Sequence, residues 1–457
     1  MKINAIILAA GQGTRMQSNK AKVLHTVGGQ PMLGHVLKSA NDLNIEKCLV
    51  VYGHDGEQVM RAFKSNAIIW VHQSQQLGTA HAVQQAMSAV DDDAIVIVLY
   101  GDTPLVRSET LTRLLDISQD GVGLLTTVLE KPDGYGRIIR DANGNIMAIV
   151  EHKDASPEQL TIKEVNTGIV AMRAQSLNNW LGKIENDNAQ QEYYLTDVIA
   201  LAVADGVSIN AHICKDSDEV MGINNRIQQA EAERVYQLRQ VERQMLLGVA
   251  MSRPETITIN GELVCGHDVR LEQNVILNGT VTVGNNVSIG ASCVISNSII
   301  ADNVVIQPFS VIDSAQIGDE CRIGPFARIR PEAVLAEQVH IGNFVEIKKS
   351  SVAARSKINH LSYIGDTSVG HDVNVGAGTI TCNYDGVNKH QTVIEDNVFI
   401  GSDTQIIAPV TIGAGSTIAA GSTITRNVEK SVLVLSRVPQ KTVADWKRPV
   451  KDSKQVK

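Results

Sequence analysis

An α/β doubly wound, Rossmann-like domain followed by a parallel β-helix is the fold class that this 457-residue sequence predicts. Three observations predict it. In the first half, short apolar runs alternate with amphipathic segments, the pattern of a mostly parallel sheet covered by helices. Between Asn225 and Leu247, a stretch rich in Gln, Glu, Arg and Leu reads as one long helix. After it, an aliphatic residue recurs every six positions, a period that belongs neither to a helix nor to an ordinary strand.

The elements follow in order. Ala5–Ala10, Lys47–Tyr52, Ile68–Val71 and Ala94–Tyr100 are predicted strands. Pro31–Leu43, Gly78–Val90 and Ser108–Ile117 are predicted helices. Ligands in such a sheet bind beyond the carboxyl ends of its strands. The six-residue series runs through Leu271, Leu277, Val283, Ile289 and Ile295, then resumes after a step of five at Ile300. It continues through Ile341, Ile347, Ile358 and Val375, and its last run extends from Ile394 to Ile424. Each hexad forms one side of a triangular rung with its aliphatic residue inward. About eight or nine rungs spaced by about 4.8 Å give a prism about 40 Å long. Sandwich strands are longer than a six-residue turn spacing allows. One large break, nineteen residues from Val375 to Ile394, must bulge out near Thr381–Gln391 as a loop. The expected partition is residues 1–226 for the first domain, 227–247 for a linker helix and 248–457 for the β-helix with a C-terminal tail.

Composition narrows the function. A net charge of −8 disfavours a general nucleic-acid binder, while allowing a phosphorylated substrate held by a few cations. Only 4% of residues are aromatic, so small aliphatic side chains must fill the core. Six scattered cysteines without a CxxC pair suggest neither zinc nor a disulfide framework. The apolar stretch Ala5–Ala10 is too short for a signal peptide or a membrane span. A soluble, cytoplasmic enzyme without a membrane or nucleic-acid partner is expected. The basic tail Lys441–Lys457 receives no role.

Two motifs carry chemistry in the first half. Leu8-Ala9-Ala10-Gly11-Gln12-Gly13-Thr14-Arg15-Met16 directly follows a strand. Gly11 and Gly13 would let the backbone approach phosphates, and Arg15 and Lys22 would add positive charge. A dinucleotide fingerprint would need a third glycine where Met16 stands. Tyr100-Gly101-Asp102 ends another strand, where a carboxylate can hold Mg²⁺. Taken alone, that carboxylate is more simply an ordinary Asp before a turn.

With these motifs come Gly134–Ile138 (GYGRI), Val150–Asp154 (VEHKD) and Glu164–Gly168 (EVNTG), and later IGNFVEIKKS, NHLSYIGD and GAGTITCNYDG. In this order they resemble the bifunctional N-acetylglucosamine-1-phosphate uridyltransferase/glucosamine-1-phosphate N-acetyltransferase family over nearly the whole chain. The resemblance implies a nucleotidyltransferase domain and a left-handed β-helix that assembles as a homotrimer. It implies that Leu8, Ala9, Ala10, Gly11 and Lys22 hold UTP, while Gln73, Gly78 and Thr79 read the uracil. Tyr100 and Gly101 would flank the substrate, and Asp102 and Asn224 would bind Mg²⁺. Gly136, Glu151 and Asn166 would contact N-acetylglucosamine-1-phosphate. The family usually has Pro before the phosphate-binding Lys; here Ala21 precedes Lys22, which should weaken UTP binding slightly.

In the second half, Arg330 and Lys348 each follow an inward aliphatic and are eighteen residues apart, so they should stack on one edge. By themselves they read as a solvated basic face. The resemblance makes them, with Tyr363, Asn374 and Lys389, ligands of glucosamine-1-phosphate. It makes His360 the base that frees the amine to attack acetyl-CoA; an imidazole with an ordinary pKa of about 6.5 suits that task. Ala377, Asn383, Tyr384, Ser402, Ala420 and Arg437 would bind acetyl-CoA. The segment bearing Arg437 is expected to be free to cross to a neighbouring chain. A catalytically dead assembly subunit would have lost Lys22, Asp102 or Asn224, and all three are present. A β-helix serving only for oligomerisation would have no use for His360, Asn383 and Lys389.

Overall fold

The computed structural model describes residues 2–53 and 56–449; the end of the basic tail, 450–457, lies outside the described residues. The chain divides into two compact units, Met1–Glu242 and Arg243–Lys457.

In the first unit, branched apolar side chains fill the strand Ile3–Ala9. It pairs in parallel with Lys47–Tyr52 on one side and Ile95–Tyr100 on the other, and Ile68–His72 extends the sheet. Side chains of a strand alternate between faces. Ala5 and Ile7 therefore enter one buried layer and Ile6 the other, all three completely buried. Helices Met32–Asn41, Thr79–Ala86 and Ser108–Ile117 supply cover. Two begin one residue later than the sequence suggests, because Pro31 and Gly78 are caps. Gly78 has φ 118°, which only glycine takes without strain.

No periodicity in the sequence marks an element between residues 122 and 214, where the sheet is completed. Glu164–Arg173 inserts antiparallel between Ile95–Tyr100 and Val122–Val128, and Ile209–Cys214 lies parallel to the latter. A bulge between Asn166 and Val170 interrupts the alternation that would have marked Glu164–Arg173 as a strand.

The long helix spans Arg226–Leu246. Its Ala232 and Val235 are buried with Val27, Met32, Leu105 and Ile223. The amide of Gly28 also donates to Glu233 Oε2 at 2.7 Å. The first half of this helix is thus part of the first unit's core.

The second unit is a parallel β-helix. One face is an eleven-stranded sheet, and a seventeen-stranded sheet wraps the other two. The ladder begins at Ala250–Met251 and ends at Leu433–Val434, beyond the regular hexads. Ten steps of about 4.8 Å make it about 48 Å long, longer than the sequence estimate. Leu277, Ile295, Ile312, Ile347, Ile400 and Ile412 are all buried. Two residues before many of the inward aliphatics stands a small residue, and several of the serines there donate to a backbone carbonyl: Ser298, before Ile300, to Ser296 at 2.7 Å, and Ser356, before Ile358, to Gly370 at 2.7 Å. A core this narrow has little room for aromatic rings. At the corners, residues such as Asn286, Asn303 and Glu320 adopt φ of 54°, 59° and 57°. Their amides bond to the preceding rung, which offsets the left-handed strain. The loop is shorter than expected: Thr381 and Cys382 remain in the strand Ile380–Cys382, with Thr381 buried.

The packing of the long helix makes a prediction. A chain ending at Glu242 should fold on its own. One ending at Arg226 exposes Val27, Met32, Leu105 and Ile223, and should be less stable by at least about 3 kcal/mol at 25 cal/mol per Å² of apolar area. Urea unfolding followed by circular dichroism measures the difference, and equal midpoints would contradict it.

Candidate functional site

A cavity of about 220 Å³ opens at the carboxyl ends of the parallel strands of the first unit, lined by Leu8, Ala9, Ala10, Gly11, Lys22, Gln73, Gly78, Thr79, Tyr100 and Asp102. Strand Ile3–Ala9 delivers the first residues and Ile95–Tyr100 the last. The Gly101 amide donates to the Leu8 carbonyl at 2.9 Å, tying the two loops together. The Asp102 carbonyl accepts from the Ile223 amide at 2.9 Å, which brings Asn224 alongside. Lys22 Nζ then lies 2.5 Å from Asp102 Oδ2 and 2.6 Å from Asn224 Oδ1. One ammonium therefore occupies a cation position flanked by two hard oxygens, a donor pair of the kind Mg²⁺ favours. Among the described residues no group of three or more His, Cys, Asp or Glu could hold a metal ion.

The two glycines of the first motif differ in purpose. A Cβ on Gly11 would meet nothing within 4 Å, so its backbone is open to a ligand. Gly13 has φ 62°, and a Cβ there would lie 2.6 Å from Lys22 Cβ; it shapes the loop around Lys22. Arg15 is exposed on the short turn Thr14–Met16 and does not line the cavity.

At the far end, Gln73 is buried and donates through Nε2 to the Gly78 carbonyl at 3.2 Å and to His81 Nδ1 at 3.1 Å. Both amide hydrogens are thus engaged, and its oxygen is the free end. Thr79 Oγ1 accepts from the Leu195 amide at 3.0 Å. The sequence missed Gln76 and Glu192, which also line the cavity. Nothing in the motif spacing marks Glu192, because a distant loop brings it in.

Beyond Tyr100 lies a smaller depression with Asn166, Gly168 and Thr196 in its wall. Burial pushes the Tyr100 phenol well up, and the Glu151 and Asp102 carboxylates add to it. Glu151 Oε1 accepts from Thr196 Oγ1 at 3.2 Å. Burial raises the Glu151 carboxyl above its usual range. The Gly136 carbonyl accepts from the Asn166 amide at 2.9 Å, and a Cβ on Gly136 would stand 3.5 Å from the Glu151 oxygens. The three predicted sugar contacts are therefore neighbours.

The β-helix holds a second group. Arg328 and Ile329 pair in register with Glu346 and Ile347, so Arg330 and Lys348 occupy the same edge on successive rungs, as the spacing predicts. Each has an acidic companion that the sequence did not indicate. Arg330 Nη1 is 2.7 Å from Glu346 Oε1, and Lys348 Nζ is 3.6 Å from Asp366 Oδ2. Asn383 Nδ2 also reaches Asp366, at 2.5 Å. The Lys348 ammonium holds Lys389 below the ordinary lysine range. Tyr363 pairs with Glu346 on that face. Asn374 does not join them; it pairs with Lys357 and Phe399 on another face.

The loop is braced from within. Asp385 accepts from the Val387 and Asn388 amides and from His390 Nε2 at 2.7 Å, and these bonds pull its carboxyl well down. Tyr384 bridges to Lys389 across it.

His360 stands two residues after the inward Ile358. Ala377, Ser402 and Ala420 stand two residues after the inward Val375, Ile400 and Ile418, so these four form one column along one corner. Arg437 was expected to be free to cross to a neighbour. Within the single chain its Nη1 donates to the Ala420 carbonyl at 2.8 Å.

Residues 5–138 match the MobA-like NTP transferase domain, 259–360 the GMPPB C-terminal domain, and 391–426 the bacterial transferase hexapeptide (six repeats). Bifunctional protein GlmU of Methylococcus capsulatus is 52% identical over 457 residues, covering 100% of this chain and 99% of that protein. Bifunctional protein GlmU of Thiobacillus denitrificans is 51% identical over 455 residues, covering 99% of each. Aligned from end to end with such relatives and carrying both kinds of domain, the chain belongs to the bifunctional GlmU family.

Proposed function

We propose that the β-helix acetylates glucosamine-1-phosphate with acetyl-CoA, and that the first unit transfers UMP from UTP to N-acetylglucosamine-1-phosphate, releasing pyrophosphate. The observation that carries this reading is that one chain brings together residues of both constellations. Lys22, Asp102 and Asn224 meet at one cavity, and His360 shares a column with Ala377, Ser402 and Ala420. A cytoplasmic setting is proposed with these activities. Among the described residues, no helix is long and apolar enough to cross a membrane.

In uridyl transfer, an oxygen of the sugar phosphate attacks the α-phosphorus of UTP, and the bond to the β-phosphate breaks. Such transfer depends on positioning and charge neutralisation more than on covalent help. The open backbone at Gly11 admits the phosphates, and the Lys22 ammonium answers their charge. The free oxygen of Gln73 suits the N–H of a uracil ring. Glu151 and Asn166 are placed to take sugar hydroxyls. Asp102 and Asn224 would hold Mg²⁺, which supplies further neutralisation when bound.

In acetyl transfer, His360 takes a proton from the attacking amine. The new C–N bond forms, the C–S bond breaks, and the proton passes to the departing thiolate. Arg330, Lys348, Tyr363 and Lys389 are the grip proposed for the sugar phosphate. Displacement of Glu346 and Asp366 by phosphate would exchange one anion for another at each cation. Asn383, Tyr384 and Arg437 are proposed to hold acetyl-CoA.

A homotrimer is the assembly proposed. Phe309, Phe326 and Phe344 stack along one corner with ring centroids 5.0 and 5.2 Å apart, and they stand 52%, 47% and 56% exposed. A ladder of half-exposed rings on a rigid prism suits packing against copies of itself.

Three outcomes are expected. Asp102→Ala should lower uridyl transfer by roughly 10²-fold or more and spare acetylation, and His360→Ala should lower acetylation by roughly 10²- to 10⁴-fold and spare uridyl transfer. Either change silencing both reactions in a folded protein would refute separate sites. By light scattering, the whole chain should be trimeric and a chain ending at Glu242 monomeric; a trimeric fragment would refute assembly through the β-helix. Ala21 has φ −52°, within the range of proline, and its amide donates to Gln58 Oε1 at 3.2 Å. Proline there would gain about 0.4–1 kcal/mol through the unfolded chain and lose a bond worth about 0.5–1.5 kcal/mol. Ala21→Pro should therefore shift stability by less than about 1 kcal/mol and leave the KM for UTP within about twofold, measured by thermal unfolding and a pyrophosphate assay.

A further inference from the structure

The column that contains His360 continues below it. Two residues after the inward Ile306, Ile323 and Ile341 come Pro308, Pro325 and Asn343. Asn343 is thus the side chain stacked directly beneath the imidazole, and it pairs with His360 in the strand register. Above His360 the column offers only the methyl group of Ala377. One flank of the ring meets an amide, and the other is left open.

His360 Nδ1 lies 2.9 Å from Asn343 Oδ1. The backbones on either side are fixed. The Leu361 amide donates to the Asn343 carbonyl at 3.1 Å, and the His360 carbonyl accepts from Ser362 Oγ at 2.8 Å and from the Gly378 amide at 3.2 Å. An amide oxygen only accepts, so with that oxygen turned to the ring Nδ1 carries the hydrogen. The neutral ring then has its lone pair on Nε2.

We propose that Asn343 is a positioning residue for acetyl transfer: its side-chain oxygen holds His360 in the tautomer whose Nε2 takes the amine proton. The proposal rests on His360 being the base. Without Asn343 the ring can rotate, and it can carry its hydrogen on Nε2, where it cannot accept one. The neutral amide also accepts the same N–H after Nε2 is protonated, so the bond persists through the proton transfer. On the strands concerned, His340–Asn343, Lys357–His360 and Asn374–Val375, the other ionisable side chains are His340 and Lys357.

The test uses the full-length protein with three substitutions, Asn343→Ala, Asn343→Asp and His360→Ala, each assayed for both reactions across pH. Asn343→Ala should lower kcat for acetylation roughly 10- to 100-fold, with KM for both substrates within about twofold and uridyl transfer unchanged. Asn343→Asp keeps an acceptor and should restore most of kcat. Its carboxylate favours the imidazolium, so the ring stays protonated to higher pH, and the acid limb of the rate profile should move upward by about one unit. Acetylation by Asn343→Ala within about twofold of the parent would overturn the proposal. So would an Asn343→Asp protein as slow as Asn343→Ala with an unmoved acid limb. If His360→Ala kept its acetylation, the base assignment would fall first and the positioning role with it; loss in His360→Ala but not in Asn343→Ala would sink the positioning role alone.

Discussion

One aliphatic side chain must point into the prism every six residues, and this constraint places every other side chain of the β-helix. Once Ile358 is buried beside Ile341 and Val375, the residues two positions on must share a corner. His360, its partner Asn343 and the small residues above them fall into line for that reason alone. The same rule, applied one position after Ile329 and Ile347, puts Arg330 and Lys348 on one edge. Parallel rung-to-rung hydrogen bonds then hold these columns with little freedom. Such rigidity suits a site whose side chains must be held in a fixed geometry.

The first unit works by a different constraint. Its parallel strands end together, so the loops after Ala9 and Tyr100 are neighbours whatever their sequences. The sequence then decides what those loops carry. An open backbone at Gly11, a lysine folded back by Gly13 and a carboxylate at Asp102 turn a shared edge into a cavity that sets an ammonium against a carboxylate.

Both sites hold their charges in compensated form. Lys22 is engaged by Asp102 and Asn224, Arg330 by Glu346, and Lys348 by Asp366. A cluster of unpaired cations would repel itself, and the Lys348 ammonium accordingly holds Lys389 below the ordinary lysine range. Acidic companions relieve it while leaving each pair open to exchange with phosphate. Such pairs contribute little to stability where they are exposed. Their value lies in keeping the cations at fixed positions.

The sequence by itself determined the six-residue period, most of the alternating strands and helices of the first 117 residues though not the helix Gly56–Ala62, and the glycine loop after the first strand. These are local patterns, set by side-chain periodicity and by the freedom of glycine. It also determined the edge shared by Arg330 and Lys348, because in a repeat, sequence distance is spatial distance. Only the tertiary structure decided that Asn224 meets Lys22, since 202 residues separate them and an Ile223 amide bond to Asp102 closes the gap. It alone decided that Asn374 faces away from Lys348, that Arg437 rests on Ala420, and that the first half of the long helix completes the first unit's core. Such contacts depend on how separate elements pack, and no periodicity along the chain encodes them.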